Sequence, residues 1–366
     1  MFDRIQNIKN VVGNNNIIIN GNVVINSQIL ETVAFQLFKK ELAILTQEAN
    51  QQLTDSINEC TKAIFKYVQT YHLEHTLLNL SNPSTQFAFY STVKGFSIVE
   101  TIEQKDLLVE TFIERIQKEW DSIEKMIVDS ALEVLPKLTP QALSLIGLFQ
   151  LRHQMINASL GIMLNLYFSD ITQLLDKLES LDILCMDYLK QEHLILPLTG
   201  LQSTVSLEQL LLTHYDLYFR HCIHEDVFND YCKQHPEAHH AIHDSSDFNG
   251  ACMMELKDVD KHLVSFRFVN SALLKKIINE NNQEYMLPHI STFMKMMPVY
   301  TEEEVRNYFI NISPKWEYIF KLFASQDFLH YDLSIKGKYI GSKIIAKACH
   351  GKSLPLNEYN KQNYYD

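Results

Sequence analysis

Histidine is concentrated in one stretch of the chain. Seven of the fifteen histidines fall between residues 214 and 243: His214, His221, His224, His235, His239, His240 and His243. Cys222, Cys232, Glu225, Asp226 and Asp244 are interleaved with them. Imidazole, thiolate and carboxylate are the usual ligands of divalent transition metals. On a helix, residues four apart are neighbours, so His239 and His243 would share a face, as would His221 and Glu225. His239, His243 and Asp244 are therefore the candidate metal ligands. The spacing fits no common zinc module: there is no Cys-x-x-Cys, and no His-Glu-x-x-His. The plainest reading is a polar, solvated loop that is rich in histidine. A third is a proton-sensitive switch, since clustered imidazoles titrate near neutral pH.

One enzymatic reading rests on His243-Asp244, which is similar to the dyad of the helical metal-dependent phosphohydrolases known as HD-domain proteins. The resemblance implies an earlier histidine ligand, His214 or His221, a later aspartate, Asp258 or Asp260, and a metal that activates water. Other nucleotide and acyl-transfer motifs are missing from the sequence. It has no glycine-rich P-loop, no G-x-G-x-x-G and no G-x-S-x-G.

Basic residues gather near the C-terminus, where Lys336, Lys338, Lys343, Lys347 and Lys352 stand out in an acidic chain. Leu329 to Ile335 reads as a strand, Lys336-Gly337-Lys338 as a turn and Tyr339 to Cys349 as a helix. That order resembles the wing of a winged-helix domain, which makes Lys336, Lys338 and Lys343 candidate phosphate contacts. The plainer reading is a solvated helix with ordinary lysines.

The elements that must position these residues are predominantly helical. Ten glycines and nine prolines in 366 residues punctuate the chain sparsely, which favours long helices. Ser27 to His72 carries an apolar stripe without Gly or Pro. It predicts one helix of roughly 65 Å at about 1.5 Å per residue, packed on sister helices or forming a stalk, with a long core helix of one subunit as the alternative. Further helices are predicted at 84–98, 103–118 and 119–135. Thr139 and Pro140 then mark a restart as N-cap and first helical residue. Ser206 to Gln209 reads as a capping box, and residues 224–262 as irregular. Shorter helices are predicted at 268–281, 284–296, 302–311 and 314–324.

The exception is the beginning, "VVGNNNIIINGNVVINSQ". Asn20-Gly21 between β-branched runs is a strong hairpin signal. A lone two-stranded ribbon is marginal in water and has unpaired edges. Ile17, Ile18, Ile19, Asn20, Gly21, Val23, Val24 and Ile25 are therefore the candidate oligomerisation residues, with pairing or stacking between subunits; a loose polar tail is the alternative.

Composition narrows the classes. The formal net charge is -12, which argues against general nucleic-acid coating. A polar, strand-like start stands where the apolar part of a signal peptide would be. The most apolar stretch, Leu143 to Phe168, is interrupted by Arg152, His153 and Gln154 and reads as buried helix, so no membrane association is expected. Six scattered cysteines fit reduced thiols and a cytoplasmic location.

Three segments carry a family resemblance: "NPSTQFAFYSTVKGFS", "LLVETFIERIQ" and "ALEVLPKLTPQALSLIGLFQLRH". They resemble an uncharacterised family of bacterial helical proteins, with a Gly/Asn-rich β segment, a long helix and then these motifs in order. The matching positions are Asn82, Pro83, Gln86, Tyr90, Lys94, Leu107, Leu108, Arg115, Pro136, Lys137, Leu138, Leu143 and Arg152. The ending "YDLSIKGKYIGSKII" is similar to the family's, with Ser334 in place of the usual Thr. The resemblance implies no activity. It does imply a phage-defence setting, because such β segments occur on bacterial proteins that look like defence components.

The expectation is a mainly α, multi-helical protein with an N-terminal β hairpin and a small C-terminal β-turn element. Its predicted divisions are 1–26 (β oligomerisation segment), 27–80 (long helix), 81–200 (helical core), 201–300 (second helical region with the His-rich loop) and 301–366 (winged-helix-like module). The predicted function is a non-enzymatic, homo-oligomeric interaction or sensing scaffold, without cofactor, whose partners are itself and a bacterial or phage protein. The alternative is the phosphohydrolase with a divalent transition metal.

Overall fold

The chain enters through a short antiparallel hairpin, β1 (Asn16–Ile19) and β2 (Val23–Asn26), with Ile17 opposite Ile25, Ile18 opposite Val24 and Ile19 opposite Val23. The computed structural model describes residues 16–19, 23–42, 47–117, 122–156, 183–198, 205–238, 254–258, 261–266, 271–280 and 282–348. Within these the protein is mainly α, as predicted. The hairpin runs directly into α1 (Ser27–Leu42) and lies against a 3₁₀ turn at Glu74–Ser81.

The predicted single helix over 27–72 is corrected. It is two helices, α1 and α2 (Gln47–Thr70), that pack on one another, so the chain turns back between them. Leu30, Ala34 and Phe38 of α1 and Ile57, Cys60, Ile64, Phe65 and Val68 of α2 are all buried in the same core. The described stripe residues are buried against the chain's own helices, α2 and the following helix among them. Among the described residues, three helices end in a left-handed residue that is not glycine. His72, His193 and Asn282 have φ of 56°, 54° and 57°. In each case the next amide reaches back to a carbonyl five residues earlier, as Leu73 N–H does to Val68. This is the Schellman arrangement.

α3 (Pro83–Ile98), α4 (Ile102–Gln117), α5 (Ser122–Val134) and α6 (Pro140–Ile156) follow near their predicted places. Local chemistry sets their starts. The Asn82 side chain accepts from the Ser84 amide with Pro83 at the first helical position. The Thr139 hydroxyl accepts from the Ala142 amide. These free amides have no partner inside the helix, which is why such caps stabilise it. α7 (Ile183–Gln191) leads into β3 (Ile195–Pro197), and α8 (Leu207–His214) starts at the Ser206 cap. The predicted capping box there is half present. Ser206 accepts from the Gln209 amide, but the Gln209 side chain reaches Glu302 instead of closing the box.

After α8 the chain makes an excursion. β4 (Ile223–His224), α9 (Glu225–Gln234), β5 (Met254–Asp258), β6 (Leu263–Phe266), α10 (Ser271–Glu280) and α11 (Leu287–Met296) form a small α+β unit with antiparallel sheet order β4-β6-β5. Residues 224–262, expected to be irregular, supply one complete strand, β5, and one helix, α9. The unit has its own apolar cluster, including Phe228, Cys232, Val264, Leu274, Ile278 and Phe293. It leaves and rejoins the main body through adjacent strands. The His221 amide donates to the Pro298 carbonyl, and the Tyr300 amide donates to Phe219. Arg220 locks this neck by donating to the carbonyls of Asp216, Met294 and Met297.

The chain then returns to the main core as α12 (Glu302–Ile312), α13 (Trp316–Phe323), α14 (Gln326–Leu329), β7 (Tyr331–Leu333) and α15 (Ile335–Ala348). Here too the prediction is corrected. Lys336-Gly337-Lys338 is the first turn of α15, not a β turn, and β7 pairs antiparallel with β3 rather than forming a wing. α15 packs on α5 and α6, and Trp316, Phe320, Leu333 and Ile340 share one cluster with α1 to α6. The C-terminal segment, as far as Ala348, is thus built into the central core.

Candidate functional site

The inserted unit and its neck hold five of the eleven described histidines, and each of the five faces a carboxylate. His221 Nε2 lies 3.2 Å from Glu304, and its ring packs on Tyr300. Thr301 caps α12 by accepting from the Glu304 amide, and its own amide and hydroxyl donate to the Glu304 carboxylate. Those bonds, and then His221, hold the Glu304 carboxyl below the usual range. His224 caps α9 by accepting from the Asp226 amide. His262 Nδ1 lies 2.8 Å from Glu225. The predicted His221–Glu225 pairing on one helical face is therefore corrected: His221 precedes α9, and each residue has a different partner. The buried thiol of Cys232 is pushed up by desolvation, the opposite of what a metal-binding thiolate needs.

The tightest group lies where α9 ends. His235 Nδ1 is 3.6 Å and His289 Nε2 3.4 Å from the same Glu237 oxygen. The three ligand atoms all lie within 4.8 Å of one another. The other nitrogen of His289, Nδ1, is 3.0 Å from the Tyr231 hydroxyl. The Glu237 carboxyl is held low first by its own backbone amide, then by the two imidazoles. His289 was not singled out by sequence. It lies far along the chain from the other histidines, and only the packing of α11 on α9 brings it there.

Of the sequence-predicted metal ligands, His239, His243 and Asp244 lie outside the described residues, as does Asp260. The same holds for Asn20 and Gly21 among the oligomerisation candidates, whereas Ile17, Ile18, Ile19, Val23, Val24 and Ile25 lie in β1 and β2. His214 sits half-buried at the end of α8.

The three predicted phosphate-contact lysines all have protein partners. Lys336 donates to the Glu192 carbonyl and Lys338 lies 3.5 Å from Asp332. Lys343 is buried, with its ammonium between Glu110 and Glu114, and Glu114 also accepts from the Tyr339 hydroxyl.

A protein-family model described only as "-like" matches residues 25–359, and the chain belongs to that family. The match begins inside β2, so β1 lies ahead of it. No curated protein and no solved structure matches the chain.

The motif residues noted in the sequence act as packing and capping devices. Asn82 and Pro83 start α3, and Gln86 bonds the Leu80 carbonyl. Tyr90 stacks on Phe38, with Lys94 over its ring. Leu107, Leu108 and Leu138 are buried, and Leu143 packs at the edge of the core. Arg115 forms a two-bond pair with Asp129, and Lys137 lies 3.8 Å from Glu192. Pro136 fills the space left by Gly95. Arg152 donates to the carbonyls of Phe328 and Tyr331, which ties α6 to the C-terminal segment. The pattern describes how the helical body is assembled.

Proposed function

We propose that this protein is an interaction scaffold, without chemistry of its own, that assembles with further copies of itself through the N-terminal hairpin. One observation carries the reading: β1 and β2 pair β-branched residues in a ladder that is only two strands wide among the described residues. Two-stranded ribbons are marginal alone, and an open edge of Ile and Val is a template for another strand. A second copy offers an edge of identical sequence and matching length. Because the family match starts at residue 25, the hairpin can be removed while leaving almost all of the family body in place.

The resemblance to bacterial helical proteins supports a setting in anti-phage defence, with a bacterial or phage protein as the second partner and the cytoplasm as the location. No helix among the described residues is long and apolar enough to cross a membrane.

Light scattering on a sizing column tests assembly, comparing the full chain with one lacking residues 1–26. The full chain is expected to run as an oligomer and the truncation as a smaller species with unchanged helical circular dichroism. Two species of equal subunit number would overturn the reading. Plaque counts on bacteria expressing either form test the setting, with protection expected only from the full chain.

A further inference from the structure

We infer that His235, Glu237 and His289 form a binding site for a divalent transition metal of the zinc class. A tetrahedral ion with bonds of about 2.0–2.1 Å needs ligand atoms roughly 3.3 Å apart. The two imidazole nitrogens stand 3.4 and 3.6 Å from one Glu237 oxygen. An ion can therefore enter after a small rotation of the exposed His235 ring.

The donor set selects the ion. Two imidazoles and one carboxylate suit zinc and its neighbours in the first transition row, whereas magnesium and calcium prefer oxygen alone. Two histidines and a glutamate also leave a fourth position, which here faces water because His235 and Glu237 are both substantially exposed.

Preorganisation is the second argument. His289 is almost fully buried, and the Tyr231 hydroxyl engages its Nδ1 while Nε2 points at Glu237. A ligating imidazole usually has its second nitrogen held in this way, which fixes ring orientation. Tyr231 and His235 share the α9 end, while His289 is on α11, and Phe228 packs on Phe293 to hold the two helices together. A bound ion would join the end of α9 to α11 and brace the inserted unit.

The experiment uses the full chain, stripped with a chelator and titrated calorimetrically with Zn²⁺ alone. One equivalent is expected to bind. His235→Ala and Glu237→Gln, both at exposed positions, are each expected to weaken it at least tenfold while thermal melts of the metal-free proteins stay unchanged. Tyr231→Phe, which removes the orienting hydroxyl, is expected to weaken it by about tenfold to a hundredfold. A His239→Ala/His243→Ala double variant is expected to retain the equivalent. Absence of Zn²⁺ binding would overturn the inference. So would binding that survives His235→Ala and Glu237→Gln, or an equal response to Mg²⁺.

Discussion

Gly337 packs directly on the backbone carbonyl of Leu194: a methyl group built on its α-carbon would overlap that oxygen. The same carbonyl accepts from the Ser334 amide at 2.9 Å. The β3 end and the start of α15 are thus joined at a point where only glycine fits. In an open helix, exchanging Gly for Ala stabilises by about 1 kcal/mol. Here the obstacle is backbone, which cannot swing aside as a side chain can. Gly337→Ala is therefore expected to destabilise the protein by about 1–3 kcal/mol, the usual cost of overpacking. Urea titration decides, and a raised midpoint would contradict the packing.

Lys343 is a charged side chain that belongs to the interior. Its ammonium is almost fully buried, while Glu110 and Glu114 retain some contact with water. Removing one partner of a fully buried pair costs about 3–5 kcal/mol, and the partial exposure of the carboxylates lowers that. Lys343→Met is expected to cost about 2–3 kcal/mol. Adding Glu114→Gln is expected to recover part of the loss, because one uncompensated carboxylate is then removed. A single variant as stable as the parent in chemical denaturation would show that the pair does not hold α15 to α4. A charge reversal here meant to test nucleic-acid contact would report on folding first.

These two residues mark the limit of what the chain discloses by itself. Caps at Thr139 and Ser206 are legible because the groups that satisfy one another lie three residues apart. So are α3 to α6, whose apolar spacing matches the helical period. Gly337 looks like a turn residue because its reason for being glycine, the Leu194 carbonyl, is remote in sequence. The same distance hides the pairing of β3 with β7, the return of α1 on α2 and the neck at Arg220. In the His-rich region only the residue types are legible. The α-helical spacing argument failed for His221 and Glu225, and His289 comes from another helix altogether.

The left-handed histidines make a stabilising prediction. His72 and His193 each close a helix with positive φ, a conformation that costs an ordinary side chain about 1–2 kcal/mol but costs glycine nothing sterically. Glycine loses more chain entropy on folding, which offsets part of the gain. His72→Gly and His193→Gly are each expected to stabilise by about 0.5–1 kcal/mol. The two sites are on different helices, so their effects should add. Thermal melts of the single and double variants check both the sign and the additivity. A loss of stability at either site would mean that the imidazole makes a contact worth more than the relieved strain.

Acid should weaken the protein through two partly buried imidazoles. Burial lowers the pKa of His153 below its ordinary 6.5. Lys338 and Arg152 push the same way and Asp332 opposes them. Burial alone lowers His214. Both imidazoles are therefore neutral in the folded protein at a pH where the unfolded chain already binds protons. Stability rises with pH wherever the unfolded state holds more protons. This contribution is complete above about pH 6.5 and is lost as pH falls through the folded values. The carboxyls of Glu237 and Glu304, lowered from their ordinary 4.5, contribute only at more acid pH. Urea midpoints are expected to fall from pH 7.5 to pH 5.5, and His214→Gln is expected to flatten the slope. A midpoint that is constant or rises over this interval would mean that the two rings are not held neutral by their surroundings.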